Sequence, residues 1–131
     1  MKYLIRKKDL IYPELSFKII GILFEVFNNL GYGYQEKYYQ KAVAISFKEN
    51  KINFKEQVYF PLRYKDIKLG NSYFDFLVEG KIIIELKKGD RFSKHDITQI
   101  YSYLKISNLQ LGLLVNFTSK GVKYKRILNI N

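Results

Sequence analysis

Residues 81–87, with the sequence KIIIELK, have apolar side chains on both faces of a β-strand. Because side chains alternate along a strand, Ile83 shares one face with Glu85 and Lys87. The opposite face is entirely apolar and consists of Ile82, Ile84 and Leu86. A strand that is apolar on both faces lies in the centre of a sheet whose two sides are covered. We therefore expect an α/β fold in which helices pack against a central sheet.

Three segments have the apolar spacing of amphipathic helices, namely residues 13–31, 35–50 and 93–108. The first segment begins with Pro13, which a helix tolerates in its first turn, and ends at Gly31, a typical C-terminal cap. In the third segment, Ser93 and Asp96 have the spacing of a capping box at a helix start. The sequence thus predicts three helices.

Five segments have the pattern of strands, namely residues 54–62, 73–78, 81–87, 110–117 and 122–128. The second and third flank Glu79-Gly80, which predicts a hairpin, and the element order becomes ααβββαββ. The helix between the third and fourth strands implies a right-handed parallel crossover, so the predicted sheet is mixed. At 131 residues the chain has the size of one domain, and we expect a single domain over residues 1–131.

The chain is strongly basic, with 23 Lys and Arg against 12 Asp and Glu, giving a formal net charge of +11. Such a charge favours a nucleic-acid partner, because a phosphate backbone attracts clustered cations. AT-rich coding is a competing explanation, since it would also enrich the chain in Lys, Asn, Ile, Tyr and Phe regardless of function.

Composition also excludes several classes of site. There is no cysteine, and His95 is the single histidine, so thiolate sites, disulfides and two-histidine zinc sites are excluded. The longest unbroken apolar stretch, residues 19–24, is far shorter than the roughly 20 residues that span a membrane. The charged residues near Met1 do not resemble a secretory signal. We expect a cytoplasmic protein that does not enter the membrane.

The pattern D/E-x-K occurs four times, about twice as often as chance predicts, at Glu49-Lys51, Asp66-Lys68, Glu79-Lys81 and Glu85-Lys87. The first three fall at a helix end, in a polar stretch and in a turn, where charges are solvated. Only Glu85-Lys87 lies in the central strand, where burying a charge costs several kcal/mol unless it is compensated. Asp75 is a second such anomaly, because it interrupts the apolar run YFDFLV.

These residues have two interpretations. Asp75, Glu85 and Lys87 could form a buried ion pair with a spare acid, or they could bind a divalent metal ion. Mg²⁺ takes oxygen ligands from one or two carboxylates and keeps several waters, and the carbonyl of Leu86 is a further candidate ligand. Lys87 would then orient or help to deprotonate the attacking water, or offset charge on a phosphate.

If Asp75 and Glu85 bind one metal ion, both side chains must lie on the same face of the hairpin. Asp75 and Glu85 lie on one face only if the loop has an odd number of residues, or if a bulge lies near Asp75. A loop of residues 78–80 places Asp75 opposite Ile83, whereas a loop of residues 79–81 places it opposite Glu85. We therefore predict one of these loops, or the bulge, instead of a regular two-residue turn.

The combination of Asp75 with Glu85-Leu86-Lys87 resembles the active site of the PD-(D/E)XK nuclease superfamily, whose core order αβββαβ occurs in this chain. Phe74 stands where the superfamily name has proline. Residues 33–39, GYQEKYY, resemble the GxxExxY signature of one branch, with Gly33, Glu36 and Tyr39 at the signature positions. Gln99 and Tyr103 match the QxxxY helix motif of related nucleases.

The resemblance implies a role for each matching residue. Asp75 and Glu85 would ligate Mg²⁺ or Mn²⁺, and Lys87 would serve the nucleophilic water or the phosphate. Glu36 would complete or brace the acidic cluster, although it could instead cap its helix or pair with a lysine. Gln99, Tyr103 and Tyr39 would contact nucleic acid or support the site, although Gln99 and Tyr103 could equally be a helix-face pair without function.

The resemblance thus implies a restriction-endonuclease-like domain that hydrolyses nucleic acid with Mg²⁺ or Mn²⁺, with DNA favoured over RNA. No separate recognition domain is evident, so we expect structure-selective or weakly sequence-specific cleavage. Sequence-specific recognition would require a homodimer or a partner protein. The alternatives are a non-catalytic nucleic-acid-binding or adaptor module with the same fold, and a basic protein-interaction subunit that needs no metal.

Overall fold

The computed structural model describes residues 11–130, which contain three helices and five strands. The helices are α1 (Pro13–Leu30), α2 (Glu36–Glu49) and α3 (Lys94–Ser107). The strands are β1 (Phe54–Tyr64), β2 (Ile67–Val78), β3 (Ile82–Lys88), β4 (Leu111–Thr118) and β5 (Gly121–Leu128). The predicted order ααβββαββ and the α/β class are confirmed.

The five strands form one sheet in the order β1-β2-β3-β4-β5. β3 pairs with β4 in parallel, while the other neighbours are antiparallel, so the sheet is mixed as predicted. α3 connects the two parallel strands. β3 occupies the centre of the sheet because its side chains can be buried on both faces.

The two faces of the sheet carry separate cores. Ile82, Ile84 and Leu86 pack with the buried side chains of α1 and α2, whereas Ile83 packs with those of α3. The alternation expected for residues 81–87 is therefore confirmed. No helix within residues 11–130 is long and apolar enough to cross a membrane.

The predicted helix ends are also observed. Pro13 is the first residue of α1, and the amide of Gly31 donates a hydrogen bond of 2.7 Å to the carbonyl of Phe27 at the end of that helix. Gly31 has φ 81°, a conformation that glycine adopts without steric cost. At the start of α3, the hydroxyl of Ser93 accepts a hydrogen bond of 3.3 Å from the amide of Asp96.

Close packing of α3 on the sheet depends on Gly112 of β4. A Cβ atom at this position would overlap the side chains of Ile100 in α3 and Ile83 in β3. Glycine is therefore the residue that allows the helix backbone to approach β3 and β4 this closely.

The hairpin of β1 and β2 is longer than the sequence predicts. The two strands pair as far as Tyr64 and Ile67, which flank the turn residues Lys65 and Asp66, both with positive φ. β2 pairs with β3 only over residues 76–78, so residues 59–73 form a part of the hairpin that does not pair with β3. We call these residues the hairpin arm. Its backbone pairing does not require the apolar alternation on which the sequence prediction of strands depends.

Candidate active site

The candidate site lies where β2 and β3 stop pairing. The ladder between them ends at Phe76 and Ile84, and Asp75 and Glu85 are the next residues on the two strands. The loop of residues 79–81 has three residues, because Val78 pairs with Ile82. The predicted odd-length loop is confirmed, in the version that places Asp75 opposite Glu85.

Side chains replace the backbone ladder at this point. The amide of Asp75 donates a hydrogen bond of 3.2 Å to Glu85 Oε1, and the amide of Leu86 donates one of 2.7 Å to Asp75 Oδ2. On the other side of β2, the register with β1 passes over Gln57, which would face Asp75 and has φ 50°. Both carboxylates are thus held by backbone groups at a break in the sheet.

The two carboxylates are buried beside each other. Asp75 is 7% exposed, and the side chain of Glu85 is 12% exposed. Burial, strengthened by the charge of Asp75, raises the pKa of Glu85 to about 9, and burial also raises the pKa of Asp75. The pair therefore favours a bound proton or a cation over two uncompensated negative charges.

Lys87 follows on the same face of β3. Its Nζ lies 3.7 Å from Glu85 Oε2 and 3.9 Å from Asp96 Oδ1 in the first turn of α3. Burial alone would lower the pKa of Lys87, but the nearby carboxylates, chiefly those of Glu85 and Asp96, outweigh burial and raise it. Lys87 is therefore a protonated ammonium group at neutral pH.

α2 contributes two further polar side chains. Glu36 Oε2 accepts a hydrogen bond of 3.3 Å from the amide of Lys88, and its charge contributes to the raised pKa of Asp75. Gln40, one helical turn later, donates a side-chain hydrogen bond to Asp75 Oδ1. Lys88 Nζ also donates to the carbonyl of Gly33, 3.3 Å away, which ties the loop before α2 to the end of β3.

Sequence reasoning missed two of these residues. Gln40 belongs to none of the sequence motifs, although its spacing from Glu36 places both on one face of α2. The sequence indicates only a capping role for Asp96, because its proximity to Lys87 depends on how α3 packs against β3. Asp75, Glu85, Lys87 and Glu36, which the sequence did suggest, are brought together by the fold.

The other motif residues, Tyr39, Gln99 and Tyr103, lie away from the cluster of Asp75 and Glu85. Tyr39 is fully buried, its ring stacks on Phe117 at 4.3 Å, and its hydroxyl donates a hydrogen bond of 2.5 Å to the carbonyl of Gly31. It therefore supports the loop between α1 and α2 and is inaccessible to nucleic acid. Tyr103 is buried, and its ring contacts the rings of Phe60 and Phe74.

Gln99 lines an open cleft between α3 and β1. Within residues 11–130, neither Gln99 nor Tyr103 forms a hydrogen bond or ion pair with Asp75 or Glu85. Gln99 and Tyr103 are one helical turn apart on α3, but Gln99 lies in the cleft and Tyr103 lies in the core.

The loop after β3 is held by Asn116 of β4. The side-chain amide of Asn116 donates hydrogen bonds to the carbonyls of Gly89, at 3.3 Å, and Arg91, at 2.7 Å. Asn116 is also the parallel partner of Lys87. The loop that leads from the site to α3 is thereby fixed to the centre of the sheet.

The donor set suits a hard divalent cation, because Asp75 and Glu85 supply carboxylate oxygens at a site that favours positive charge. Among residues 11–130 there is no cluster of three or more Asp, Glu or His side chains arranged as a metal cage. Two carboxylates are sufficient for Mg²⁺, which usually keeps several waters.

A sequence profile of the PD-(D/E)XK nuclease superfamily matches residues 13–127. The chain belongs to this superfamily. Among curated proteins, none matches this nuclease-superfamily chain in sequence.

Two solved structures are similar in fold to this chain. The crystal structure of SSO0001 has a TM-score of 0.52 and 16% identity, and the match covers 95% of this chain and 61% of that one. An alkaline exonuclease (LHK-Exo) from Laribacter hongkongensis has a TM-score of 0.50 and 13% identity, and the match covers 88% of this chain and 69% of the exonuclease. The present chain therefore spans about three fifths of the length of SSO0001.

Proposed function

We propose that this protein is a divalent-metal-dependent nuclease that hydrolyses phosphodiester bonds in nucleic acid. The observation that carries this proposal is the convergence of Asp75, Glu85 and Lys87 where β2 and β3 separate. Membership of a nuclease superfamily and the fold of an alkaline exonuclease support it. A purely binding role leaves the burial of two neighbouring carboxyl groups unexplained.

Asp75 and Glu85 would hold Mg²⁺ or Mn²⁺, with the Leu86 carbonyl as a further ligand. Both oxygens of Asp75 already accept one hydrogen bond each, from Gln40 and from the Leu86 amide, and this orients the carboxylate. A bound divalent ion would lower the pKa of a coordinated water and polarise the phosphate. Glu36 would brace the cluster through its hydrogen bond to Lys88.

Lys87 would act as a cation. Because its pKa is raised, it remains protonated at neutral pH and is a poor general base. It would instead donate hydrogen bonds to a phosphate oxygen and offset the negative charge that develops there. Asp96 would help to position the ammonium group, which lies 3.9 Å from its Oδ1 atom.

We further propose DNA as the preferred substrate, cleaved internally with structure selectivity or weak sequence specificity by a single domain over residues 1–131. The segment GYQEKYY supports assignment to the GxxExxY branch, since Glu36 faces the site and Tyr39 supports the preceding loop. Gly33 also contacts the site region through its carbonyl, which accepts from Lys88 Nζ.

The test is hydrolysis of matched substrates by the purified protein with Mg²⁺, with Mn²⁺ and with EDTA. The substrates are linear and covalently closed single-stranded DNA, duplex and branched DNA, and RNA. Cleavage of the closed circle requires an endonuclease, whereas cleavage restricted to linear molecules would identify an exonuclease. Equal hydrolysis in EDTA, or no hydrolysis of any substrate, would contradict the proposal.

The net charge of +11 favours one alternative, a nucleic-acid-binding module without catalysis. That alternative predicts binding that is indifferent to Mg²⁺ and no product on any substrate. The same set of substrates therefore distinguishes the two functions.

A further inference from the structure

A cleft of about 490 Å³ lies between the hairpin arm and α3. Its apolar lining includes Phe60, Leu62 and Ile106, and its polar lining includes Arg63, His95 and Gln99. Leu62 on β1 is 38% exposed and Ile106 on α3 is 75% exposed, so apolar side chains are available from both walls. The cleft is separate from the cluster of Asp75 and Glu85.

The α3 wall is one stripe of the helix. His95, Gln99, Ser102 and Ile106 recur at intervals of three or four residues, so they follow one another along the same face. From His95 to Ile106 this stripe is about 17 Å long, at 1.5 Å per residue. The α3 wall of the cleft is therefore elongated.

The α3 wall of the cleft ends beside the candidate active site. His95 lies at one end of the stripe, and the next residue, Asp96, contacts Lys87. On the opposite wall, the arm continues along β2 through Phe74 to Asp75, and Tyr103 packs against both Phe60 and Phe74. A chain lying in the cleft would thus reach the region of Lys87 and Asp75.

The lining has the chemistry of a site for an unpaired polynucleotide. Apolar walls can contact base faces, and the hydroxyl, amide and imidazole groups can bond to bases or sugars. Arg63 supplies an exposed cation for a phosphate, and the described lining residues include no Asp or Glu. The cleft volume lies within the range of small-ligand pockets, about 300 to 1,000 Å³. Base faces are available for contact only where a strand is unpaired, so the apolar walls favour a single strand over a duplex.

We propose that this cleft binds a short single-stranded segment of nucleic acid, DNA or RNA, next to the phosphate to be cleaved. Leu62 and Ile106 contact base faces from opposite walls, and Arg63 contacts a phosphate. Gln99 then has a direct role in strand binding, whereas Tyr103 holds the arm against α3. This inference rests on the proposed nuclease function and adds to it the site for the unpaired strand.

The test measures fluorescence anisotropy of labelled 12-nucleotide DNA and RNA strands in EDTA, so that binding is observed without hydrolysis. Arg63→Gln should weaken binding several-fold and reduce the slope of log Kd against log salt by about 0.7, the value for one phosphate contact on a single strand. Its control is Lys123→Gln, on β5 at the opposite edge of the sheet, about 19 Å away by strand spacing. This control should leave the slope unchanged.

A second pair of variants tests the apolar walls. Ile106→Ala should weaken binding about threefold because apolar contact with a base is lost. Its control, Ile45→Ala on α2, removes another exposed isoleucine side chain, which lies away from the cleft, and should have no effect. Both Ile106 and Arg63 are exposed, so these substitutions should not prevent folding, which circular dichroism would verify.

Two outcomes would overturn the proposal: no saturable binding of either strand by the unaltered protein, or equal losses in test and control variants. Either result leaves metal-dependent cleavage intact as a separate measurement. Conversely, if the unaltered protein binds strands through Arg63 and Ile106 but never hydrolyses them, the nuclease function fails and the binding cleft stands. Comparison of the DNA and RNA strands shows which nucleic acid the cleft prefers.

Discussion

The backbone amide of Asp75 donates a hydrogen bond of 3.2 Å to the carboxylate of Glu85, directly beyond the last paired residues of β2 and β3. This bond, and the one from the Leu86 amide to Asp75, hold two acids together where a sheet would ordinarily continue its ladder. The separation of the strands is thus what leaves room for a polar site beside a buried core. It also explains why charged residues persist in strands that are otherwise apolar.

Replacing Lys87 by Ala, or Asp75 by Asn, should reduce metal-dependent hydrolysis by roughly 10²-fold or more while the fold persists. The first change removes the cation that faces the phosphate, and the second weakens the metal site. Rates with saturating Mg²⁺ would be compared with those of Lys123→Ala, an exposed lysine on the far edge strand. Undiminished hydrolysis in both variants would show that these residues are not catalytic.

The metal-free protein should lose stability as pH rises. The pKa of Glu85 is raised by burial from 4.5 to about 9, so the folded state keeps a proton that the unfolded state releases between these values. The free energy of unfolding therefore falls with increasing pH across this range. Glu85→Gln removes this titration, and its stability should vary less with pH in EDTA.

Urea denaturation at several pH values would check this expectation. Added Mg²⁺ should restore stability to the unaltered protein at pH 8 to 9, since a cation replaces the proton, and should do so less in Glu85→Gln. Parallel pH profiles for the two proteins in EDTA would show that Glu85 is already ionised in the fold.

Gln40→Ala should lower the rate of hydrolysis about tenfold, because Asp75 loses the hydrogen bond that orients its Oδ1 atom. The matched control is Lys41→Ala, the next residue on α2, whose side chain is exposed. The measurement is kcat and the Mg²⁺ concentration at half-maximal rate. If Gln40 positions Asp75, the requirement for Mg²⁺ should increase in Gln40→Ala alone, and an identical response of both variants would refute this role.

Gly112→Ala should destabilise the fold by about 1 to 3 kcal/mol, because the added methyl group overlaps Ile100 and Ile83. Gly21→Ala provides the control, since Gly21 lies within α1 and a Cβ there would meet no atom within 4 Å. That substitution should be neutral or stabilising, because alanine favours a helix more than glycine does. Chemical denaturation of both variants measures the difference, and a neutral Gly112→Ala would mean that α3 shifts without cost.

Much of the fold was predictable because its signals are local. The apolar alternation of residues 81–87 indicated a central strand, and Ser93 and Gly31 indicated helix ends that the structure contains. The acids Asp75 and Glu85 stood out because their cost of burial conflicts with their surroundings. Strand geometry also predicted an odd number of residues in the loop between β2 and β3. It did not decide between a loop of residues 78–80 and one of residues 79–81.

The strand pairing in the hairpin arm could not be predicted from the local sequence pattern. The sequence predicts strands that stop at Leu62 and resume at Tyr73, because most of the intervening residues are polar. They pair nevertheless, because antiparallel backbone hydrogen bonds continue from the established register through the turn at Lys65 and Asp66. Side-chain pattern alone carries no information about such pairing.

The sequence by itself determined the order of elements, the central strand and the acids that conflict with it, since each depends on neighbours along the chain. Only the tertiary structure decided that Gln40 would bond to Asp75, that Asp96 would contact Lys87, and that the arm and α3 would leave a cleft. These contacts depend on how α2 and α3 pack on opposite faces of the sheet. Packing geometry arises from the summed shape of many distant side chains, so no short motif contains it.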